Sequence, residues 1–158
     1  MIYCGIDPGK SGGIAWLDGD VVCMTPMPDT ELDVWKEFDA MTESDVVYAV
    51  IEKVHSMPSQ SAQSGFTFGQ NYGFLRGMLV GNECIKFQEV GPRTWMAALN
   101  IRSRKKTEAK GVWKSYLLQC AENLFPDAPW PSTKGGKLAV CDALLIAEYS
   151  RRYYGGKV

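Results

Sequence analysis

The segment MIYCGIDPG, residues 1–9, decides how the fold of this chain is interpreted. Its apolar residues run up to Asp7 and a Pro-Gly turn follows, a pattern that predicts a β-strand. Two further strands are predicted over 12–17 and 21–25, because the Asp18-Gly19-Asp20 turn between them is a hairpin signal. The sequence therefore opens with three predicted antiparallel strands.

The rest of the sequence alternates between helix and strand signals. Residues 46–52 are rich in β-branched side chains and predict a fourth strand, and residues 85–90 predict a fifth. Helices are predicted over five segments: 29–41, 60–81, 94–99, 107–124 and 138–153. This succession is typical of an α/β fold with a mixed five-stranded sheet flanked by helices. Since 158 residues is the length of one domain, we expect 1–158 to form a single unit.

Composition limits the class of protein. Hydrophobic residues make up 46% and charged residues 22%, which is ordinary for a globular protein. The single histidine, His55, excludes a histidine-rich zinc site. Five scattered cysteines without a CxxC pair predict free thiols in a reducing compartment. Without a leader or an apolar run of about 18 residues, we expect no membrane segment and a cytoplasmic location, in the host cytoplasm for a viral protein.

The net charge of −1 hides a strong asymmetry along the chain. Residues 1–90 contain five Lys/Arg and thirteen Asp/Glu, whereas residues 91–158 contain twelve Lys/Arg and five Asp/Glu. The two halves therefore have net charges of −8 and +7. A split of this size indicates one surface for anionic partners and another that faces away from them.

Three carboxylates lie within or at the end of apolar segments. Asp7 ends the first predicted strand, Glu52 ends the fourth, and Asp142 lies within the apolar segment 138–147. Taken singly, each also fits a helix cap or a salt-bridge partner. Buried ionised carboxylates require a compensating cation or a path to water, and parallel neighbouring strands would bring the first two to one sheet edge. Three converging carboxylates favour Mg²⁺ or Mn²⁺, and two such ions about 4 Å apart can drive phosphodiester hydrolysis.

Three short motifs occur in order along the chain: Gly5-Ile6-Asp7-Pro8-Gly9, Ile51-Glu52-Lys53-Val54 and Cys141-Asp142-Ala143-Leu144. Together they resemble the RuvC family of Holliday-junction resolvases, whose fold is ribonuclease H-like. Further positions are similar to the phage-type members: Pro92, Trp95 and Leu124-Phe125-Pro126. The resemblance implies a homodimeric endonuclease with two Mg²⁺ ions per site, for which Mn²⁺ substitutes, that cuts four-way DNA junctions symmetrically. It also implies the residues that are both catalytic and metal ligands: Asp7, Glu52 and Asp142.

One position departs from the family pattern. The family places a fourth ligand, Asp or His, three residues before the last acid, where this sequence has Ala139. We expect Lys137 to enter the site as a further catalytic residue, with Lys134 or Glu148 as alternatives.

Glycines recur every four residues in the longest predicted helix, at Gly65, Gly69, Gly73 and Gly77. Because each costs about 1 kcal/mol relative to alanine inside a helix, the stripe predicts close approach of another backbone. That backbone belongs either to the sheet of the same chain or to a second subunit or ligand. The helix also resembles the family's interface helix, which implies a dimer contact through five residues: Phe68, Gly69, Tyr72, Gly73 and Arg76.

The basic second half of the chain predicts a DNA-binding surface. Six cations lie close together, opposed only by Glu108: Arg102, Arg104, Lys105, Lys106, Lys110 and Lys114. A charge run also fits a solvated face, but phosphate contacts dominate the affinity of proteins for DNA. Further DNA contacts are predicted at Lys10, Ser11, Arg93 and Lys134. His55, three residues after Glu52, is an ordinary surface histidine or a ring that stacks on a base, as an aromatic residue does in the family.

Two other classes of function stay open. A ribonuclease H that acts on RNA–DNA hybrids shares the fold and the metal chemistry, and a non-catalytic module that binds branched DNA is kept open by Ala139. The segment from Gly5 to Gly13 also resembles the phosphate loop of actin-like kinases. Those folds need two related lobes, so no nucleotide cofactor is expected here.

Overall fold

The computed structural model describes residues 1–42, 46–55 and 61–156. Within these residues, five strands form one sheet: β1 (Ile2–Asp7), β2 (Gly13–Asp18), β3 (Val21–Pro26), β4 (Val47–Glu52) and β5 (Ile85–Val90). The described helices are α1 (Glu31–Thr42), α2 (Ala62–Gly81), α3 (Pro92–Ala98), α4 (Lys110–Leu124) and α5 (Lys134–Gly155). None of these helices is long and apolar enough to cross a membrane.

The strand order in the sheet is β3-β2-β1-β4-β5. β1 pairs antiparallel with β2, and β2 pairs antiparallel with β3, which confirms the predicted opening of the fold. β4 runs parallel to both of its neighbours, β1 and β5. The mixed five-stranded sheet is therefore confirmed, and the carboxyl ends of β1 and β4 lie at the same edge.

Different helices cover the two faces of the sheet. Cys4 and Ile6 of β1 face α1 and α2, where they join one core cluster with Phe38 and Leu75. Since successive side chains of a strand alternate between faces, Asp7 belongs to the opposite face, which α5 covers together with α3 and α4. The sheet thus presents the end of β1 to the helices of the basic half of the chain.

Gly5 sets the distance between β1 and α5. A Cβ atom at this position would overlap the carbonyl oxygen of Ala143 and the amide nitrogen of Ala147. It would also lie 2.7 Å from the carbonyl carbon of Ile146. Only a residue without a side chain allows α5 to approach this closely. The approach holds the helix that contains Asp142 against the strand that ends in Asp7.

Two helices begin three or four residues away from their predicted starts. α5 begins at Lys134 rather than at residue 138, because the Thr133 hydroxyl accepts a hydrogen bond from the Gly136 amide at 3.1 Å and caps the helix. α4 begins at Lys110 rather than at residue 107. The preceding residues form a turn instead, in which the Glu108 amide donates to the Lys105 carbonyl at 3.1 Å. Residue 60, the predicted start of α2, lies outside the described residues.

The glycine stripe of α2 does not contact the sheet. A Cβ atom placed at Gly65, Gly69, Gly73 or Gly77 meets no heavy atom within 4 Å in the described part of the chain. The interpretation as a tight contact within the chain is therefore wrong. α2 packs on the core through its other face, where Leu75 is fully buried.

Candidate active site

The candidate site lies at the sheet edge where β1 and β4 end. Ile6 pairs with Ile51 in the parallel register, so Asp7 and Glu52 complete neighbouring strands side by side. Asp142 comes from α5, and only 8% of it is exposed. Elements from three distant parts of the sequence thus bring the predicted carboxylates into one electrostatic cluster, which we call the carboxylate cluster.

Burial and mutual repulsion change the acidity of two of these carboxyls. Burial, followed by repulsion from Asp142, raises the pKa of Asp7 to about 6. Burial is also the main cause for Glu52, whose pKa rises to about 7 with further contributions from the charges of Asp7 and Asp142. The cluster therefore contains more negative charge than its surroundings stabilise, and a bound cation would favour the ionised forms.

A lysine of α4 forms an ion pair with the carboxylate cluster. The Nζ atom of Lys114 lies 2.5 Å from Oδ2 of Asp142. Burial acts to lower the pKa of Lys114, but attraction to Asp142 and then to Asp7 outweighs it, and the pKa is raised. Lys114, predicted as a phosphate contact, is thus the lysine that lies at the carboxylates.

Neighbouring groups fix the orientation of the two strand-end carboxylates. The indole Nε1 of Trp95 donates to Oε1 of Glu52 at 2.9 Å, and Trp95 is almost fully buried. The Gly9 amide donates to Oδ1 of Asp7 at 3.2 Å. A Cβ atom at Gly12 would lie 2.6 Å from Cγ of Asp7, so the backbone packs directly on this carboxylate. Each acid is thereby held in one position at the edge of the sheet.

Sequence reasoning did not assign Trp95 or Lys114 to the carboxylate cluster, although each has a local signal. Trp95 lies in α3, the short helix that follows β5. Since β5 is the neighbour of β4, this helix begins beside the end of the strand that contains Glu52. Lys114 directly follows the buried Trp113, at the border of the buried face of α4. A lysine at such a border is a candidate partner for a buried acid on a neighbouring helix.

The candidates for the missing fourth ligand have other partners. The Nζ atom of Lys137 lies 2.7 Å from Oε1 of Glu122. Glu148 is 4% exposed and pairs with two arginines of its own helix at 2.6 and 2.7 Å. Lys134 is exposed at the first position of α5. The catalytic function of Lys137 stays a prediction, since its ammonium is engaged with Glu122.

The chemistry of the carboxylate cluster fits a hard cation, although its side chains are not arranged as a complete ligand set. In the described ranges, no three His, Cys, Asp or Glu side chains form a group that could hold a metal ion. Asp7, Glu52 and Asp142 nevertheless offer only carboxylate oxygens, the donors that Mg²⁺ and Mn²⁺ prefer. In this arrangement Asp142 is paired with Lys114 instead.

Apart from Lys114 and Lys134, the predicted DNA contacts fall into three groups. Lys10 and Ser11 are exposed in the turn after Asp7, and His55 is exposed shortly after the end of β4. The second group is exposed around α3 and the start of α4: Arg93, Lys105, Lys106 and Lys110. The third group, Arg102 and Arg104, donates hydrogen bonds to Glu108. The first group therefore adjoins the ends of the strands that carry Asp7 and Glu52, whereas the other two groups lie between the start of α3 and the start of α4.

The predicted interface helix α2 is attached to the site. The Nδ2 atom of Asn71 donates to the carbonyl oxygen of Pro8 at 2.7 Å, within the loop that follows Asp7. Tyr72 and Arg76 bond to the carboxylate of Glu89 on β5 at 3.0 and 2.5 Å. Phe68 lines a cavity of about 600 Å³ beside this loop. The predicted interface residues therefore lie on a helix that is hydrogen-bonded to the loop beyond Asp7.

Solved structures with the same fold are known. Thermus thermophilus RuvC in complex with Holliday junction substrate matches with a TM-score of 0.55 at 16% sequence identity, over 99% of this chain and 96% of that chain. A second structure of Thermus thermophilus RuvC matches with a TM-score of 0.52 at 18% identity over the same shares. The chain thus has the RuvC-like, ribonuclease H-like α/β fold that the motifs predicted. No family model matches the chain, and no curated protein matches it in sequence.

Proposed function

We propose that this protein is a metal-dependent endonuclease that acts on branched DNA, with the four-way junction as its main substrate. The observation that carries the proposal is the carboxylate cluster at the edge of a RuvC-like sheet. Two of its members, Asp7 and Glu52, have pKa values raised by burial and by like charges. Such perturbed groups are concentrated at functional sites, because a packed core gains nothing from crowded acids.

The proposed cofactor is Mg²⁺, with Mn²⁺ as a substitute and up to two ions per site, held by Asp7, Glu52 and Asp142. When bound, such ions supply a water nucleophile and stabilise the leaving oxygen of a phosphodiester. The protein's own contribution is orientation: Trp95 holds Glu52 and the Gly9 amide holds Asp7. Lys114 adds a positive charge at Asp142.

The proposed assembly is a homodimer formed through α2. Its glycine stripe is open, and two large apolar side chains of the helix are exposed: Phe66 at 67% and Val80 at 71%. Because Asn71 connects α2 to the loop beyond Asp7, an α2–α2 contact would fix the two active sites relative to each other. A twofold dimer suits a four-way junction, since both can share one axis. Membership of the phage-type branch and a cytoplasmic location belong to the same proposal.

A cleavage panel tests the proposed activity. Purified protein is incubated with Mg²⁺ and a labelled four-way junction, Y-fork, linear duplex or RNA–DNA hybrid. We expect paired incisions in the junction and little cutting of the duplex. The matched variant Asp7→Asn removes one charge without changing shape, and we expect it to bind the junction but not to cut it. Preferential cutting of the hybrid would instead identify a ribonuclease H, and full activity of Asp7→Asn would refute the role of the cluster.

A second candidate function is a module that binds branched DNA without cutting it. The Lys114–Asp142 ion pair favours it, because an ammonium already compensates one carboxylate and Ala139 supplies no fourth ligand. This module would bind the four-way junction equally well in EDTA and in Mg²⁺. It would leave every substrate of the panel intact with either Mg²⁺ or Mn²⁺.

A further inference from the structure

The segment between α3 and α4 is folded around one acidic side chain, Glu108. Its Oε1 and Oε2 atoms accept hydrogen bonds from both terminal nitrogens of Arg102 at 2.7 and 2.9 Å. Oε2 also accepts from the backbone amide of Lys105 at 3.2 Å. The Glu108 carbonyl oxygen accepts two bonds from Arg104, at 2.7 and 3.1 Å. A single residue therefore organises two arginines and the turn that follows them, from Lys105 to Glu108.

The same segment is fixed by contacts with the core. The guanidinium of Arg102 lies over the rings of Tyr116 and Trp113, with its central carbon 4.2 and 5.3 Å from their centroids. Before it, Asn100 adopts a left-handed conformation with φ of 57°, and the Ile101 amide bonds to the Met96 carbonyl at 2.8 Å. These contacts anchor the start of the segment, residues 100–102, to the neighbouring helices.

Glu108 is not an ordinary surface acid. Its side chain is 11% exposed although it lies in the most basic stretch of the chain. Hydrogen bonding by Arg102 is the main cause that lowers the pKa of Glu108 to about 2. Isolated surface ion pairs contribute little, but two-pronged arginine–carboxylate pairs within a network are the exception.

The position of this segment connects it to the carboxylate cluster. It follows α3, whose Trp95 bonds to Glu52, and it precedes α4, whose Lys114 pairs with Asp142. Lys110 lies one helical turn before Lys114 and so occupies the same side of α4. The last cation of the segment, Lys110, therefore lies on the same side of α4 as the ammonium that pairs with Asp142.

We propose that residues 101–110 form a preshaped phosphate-binding loop with Glu108 as its positioning residue. This inference rests on the proposed function, and it divides the predicted DNA contacts into two classes. Arg102 and Arg104 are exposed, but their guanidinium groups are hydrogen-bonded to Glu108 and shape the loop. Lys105, Lys106 and Lys110, which are exposed, are the groups that meet the phosphates. Preshaping reduces the entropy lost when the loop is ordered on DNA, and this increases affinity.

Removal of the Glu108 side chain tests the proposal, because simple electrostatics and loop shaping predict opposite changes in DNA affinity. Glu108→Ala removes one negative charge from a basic surface, so electrostatics alone predicts tighter DNA binding. If Glu108 shapes the loop, binding to a labelled four-way junction in EDTA weakens by at least about tenfold. The slope of log K against log salt then falls by about two, because Lys105 and Lys106 lose their phosphate contacts at about 0.9 each, whereas Lys110 lies in α4 and keeps its own. Glu83→Ala makes the same charge change at an exposed position outside the loop and serves as the matched control.

A second variant and a DNA-free measurement complete the test. Arg102→Lys keeps the charge but loses the two-pronged bond, so we expect it to weaken binding as Glu108→Ala does. Unchanged affinity would show that the two-pronged bond does not shape the loop and would refute the proposal. Without DNA, we expect trypsin to cut after Lys105 and Lys106 several-fold faster in Glu108→Ala than in Glu83→Ala, at equal melting temperature. Equal cutting rates would overturn the preshaped loop whatever the DNA result.

The DNA measurements also separate this inference from the proposed function. Normal junction binding by the wild-type protein, combined with equal or tighter binding by Glu108→Ala, overturns the role of the loop alone. A wild-type protein that binds no junction at any salt concentration overturns the proposed function, and the phosphate-binding role of the loop with it.

Discussion

The ammonium of Lys114 lies 2.5 Å from Oδ2 of Asp142, so the helix α4 supplies a cation to a carboxylate cluster that is predicted to hold metal. Lys114 and Asp142 are 28 residues apart and come from two helices that pack against each other. The ion pair compensates one of three acids and leaves Asp7 and Glu52 with raised pKa values. A lysine and a metal ion would therefore compete for Asp142.

Replacement of Lys114 by methionine tests this competition. In the absence of divalent ions, Lys114→Met leaves Asp142 without its partner, and we expect the free energy of unfolding to fall by about 1–3 kcal/mol. Added Mg²⁺ should then raise the melting temperature more in the variant than in the wild type. Lys137→Met is the matched control, because its more exposed pair with Glu122 contributes less than about 1 kcal/mol. An equal Mg²⁺ response in all three proteins would contradict the competition.

The raised pKa values predict an unusual dependence of stability on pH. A carboxyl whose pKa is higher in the folded than in the unfolded state binds more protons when folded, so folding loses stability as pH rises between the two values. For Asp7 that window lies between 3.8 and about 6, and for Glu52 between 4.5 and about 7. We therefore expect the metal-free protein to be more stable at pH 5 than at pH 8 in urea denaturation. Glu108, whose pKa is lowered to about 2 by Arg102, titrates below this range.

Two comparisons check the origin of this pH effect. The double variant Asp7→Asn, Glu52→Gln lacks both groups, so its stability should change little between pH 5 and pH 8. Saturating Mg²⁺ should also reduce the difference, since a bound cation favours the ionised carboxylates. If the stability of the metal-free wild-type protein instead rises from pH 5 to pH 8, the pKa values of Asp7 and Glu52 are not raised as described.

Gly5→Ala tests whether the contact between β1 and α5 is as close as described. The new methyl group would overlap the α5 backbone at Ala143 and Ala147, which cannot rotate away as a side chain can. We expect a loss of about 3 kcal/mol or more in the free energy of unfolding, together with loss of cleavage as Asp142 moves away from Asp7. Chemical denaturation and the junction assay measure the two effects. A variant with wild-type stability would show that α5 lies further from the strand.

Gly69→Ala tests the proposed dimer surface. The methyl group has open space around it in the single chain, and alanine is favoured over glycine inside a helix by about 1 kcal/mol. We expect the isolated subunit to become more stable while the dimer dissociation constant rises at least about tenfold, because a second α2 can no longer approach as closely. Sedimentation over a range of concentrations measures the dimer dissociation constant, and thermal melts at low concentration measure the stability of the isolated subunit. A wild-type protein that stays monomeric at micromolar concentration would remove the dimer from the proposal.

Much of the fold follows from local sequence patterns. The apolar runs that end in Asp7 and Glu52 are the strands β1 and β4, and the Asp18-Gly19-Asp20 turn joins β2 to β3 as predicted. Strands can be predicted from the sequence because their pattern depends on residues that are neighbours in the chain. The start of α5 was predicted four residues too late, because Thr133 and the two glycines that follow it have the composition of a loop. Their role as the cap and first turn of a helix does not show in local composition.

Local sequence patterns are enough to identify the acids that end the strands and the basic half of the chain. The packing of the helices shows, in addition, that Lys114 rather than Lys137 reaches the carboxylates, that Trp95 orients Glu52, and that the glycine stripe of α2 faces outward. It also showed that Arg102 bonds to Glu108. The physical reason is that charge and hydropathy belong to single residues and short segments. The partner of a charged group, in contrast, is set by how helices pack across the sheet, and that packing brings together residues far apart in the chain.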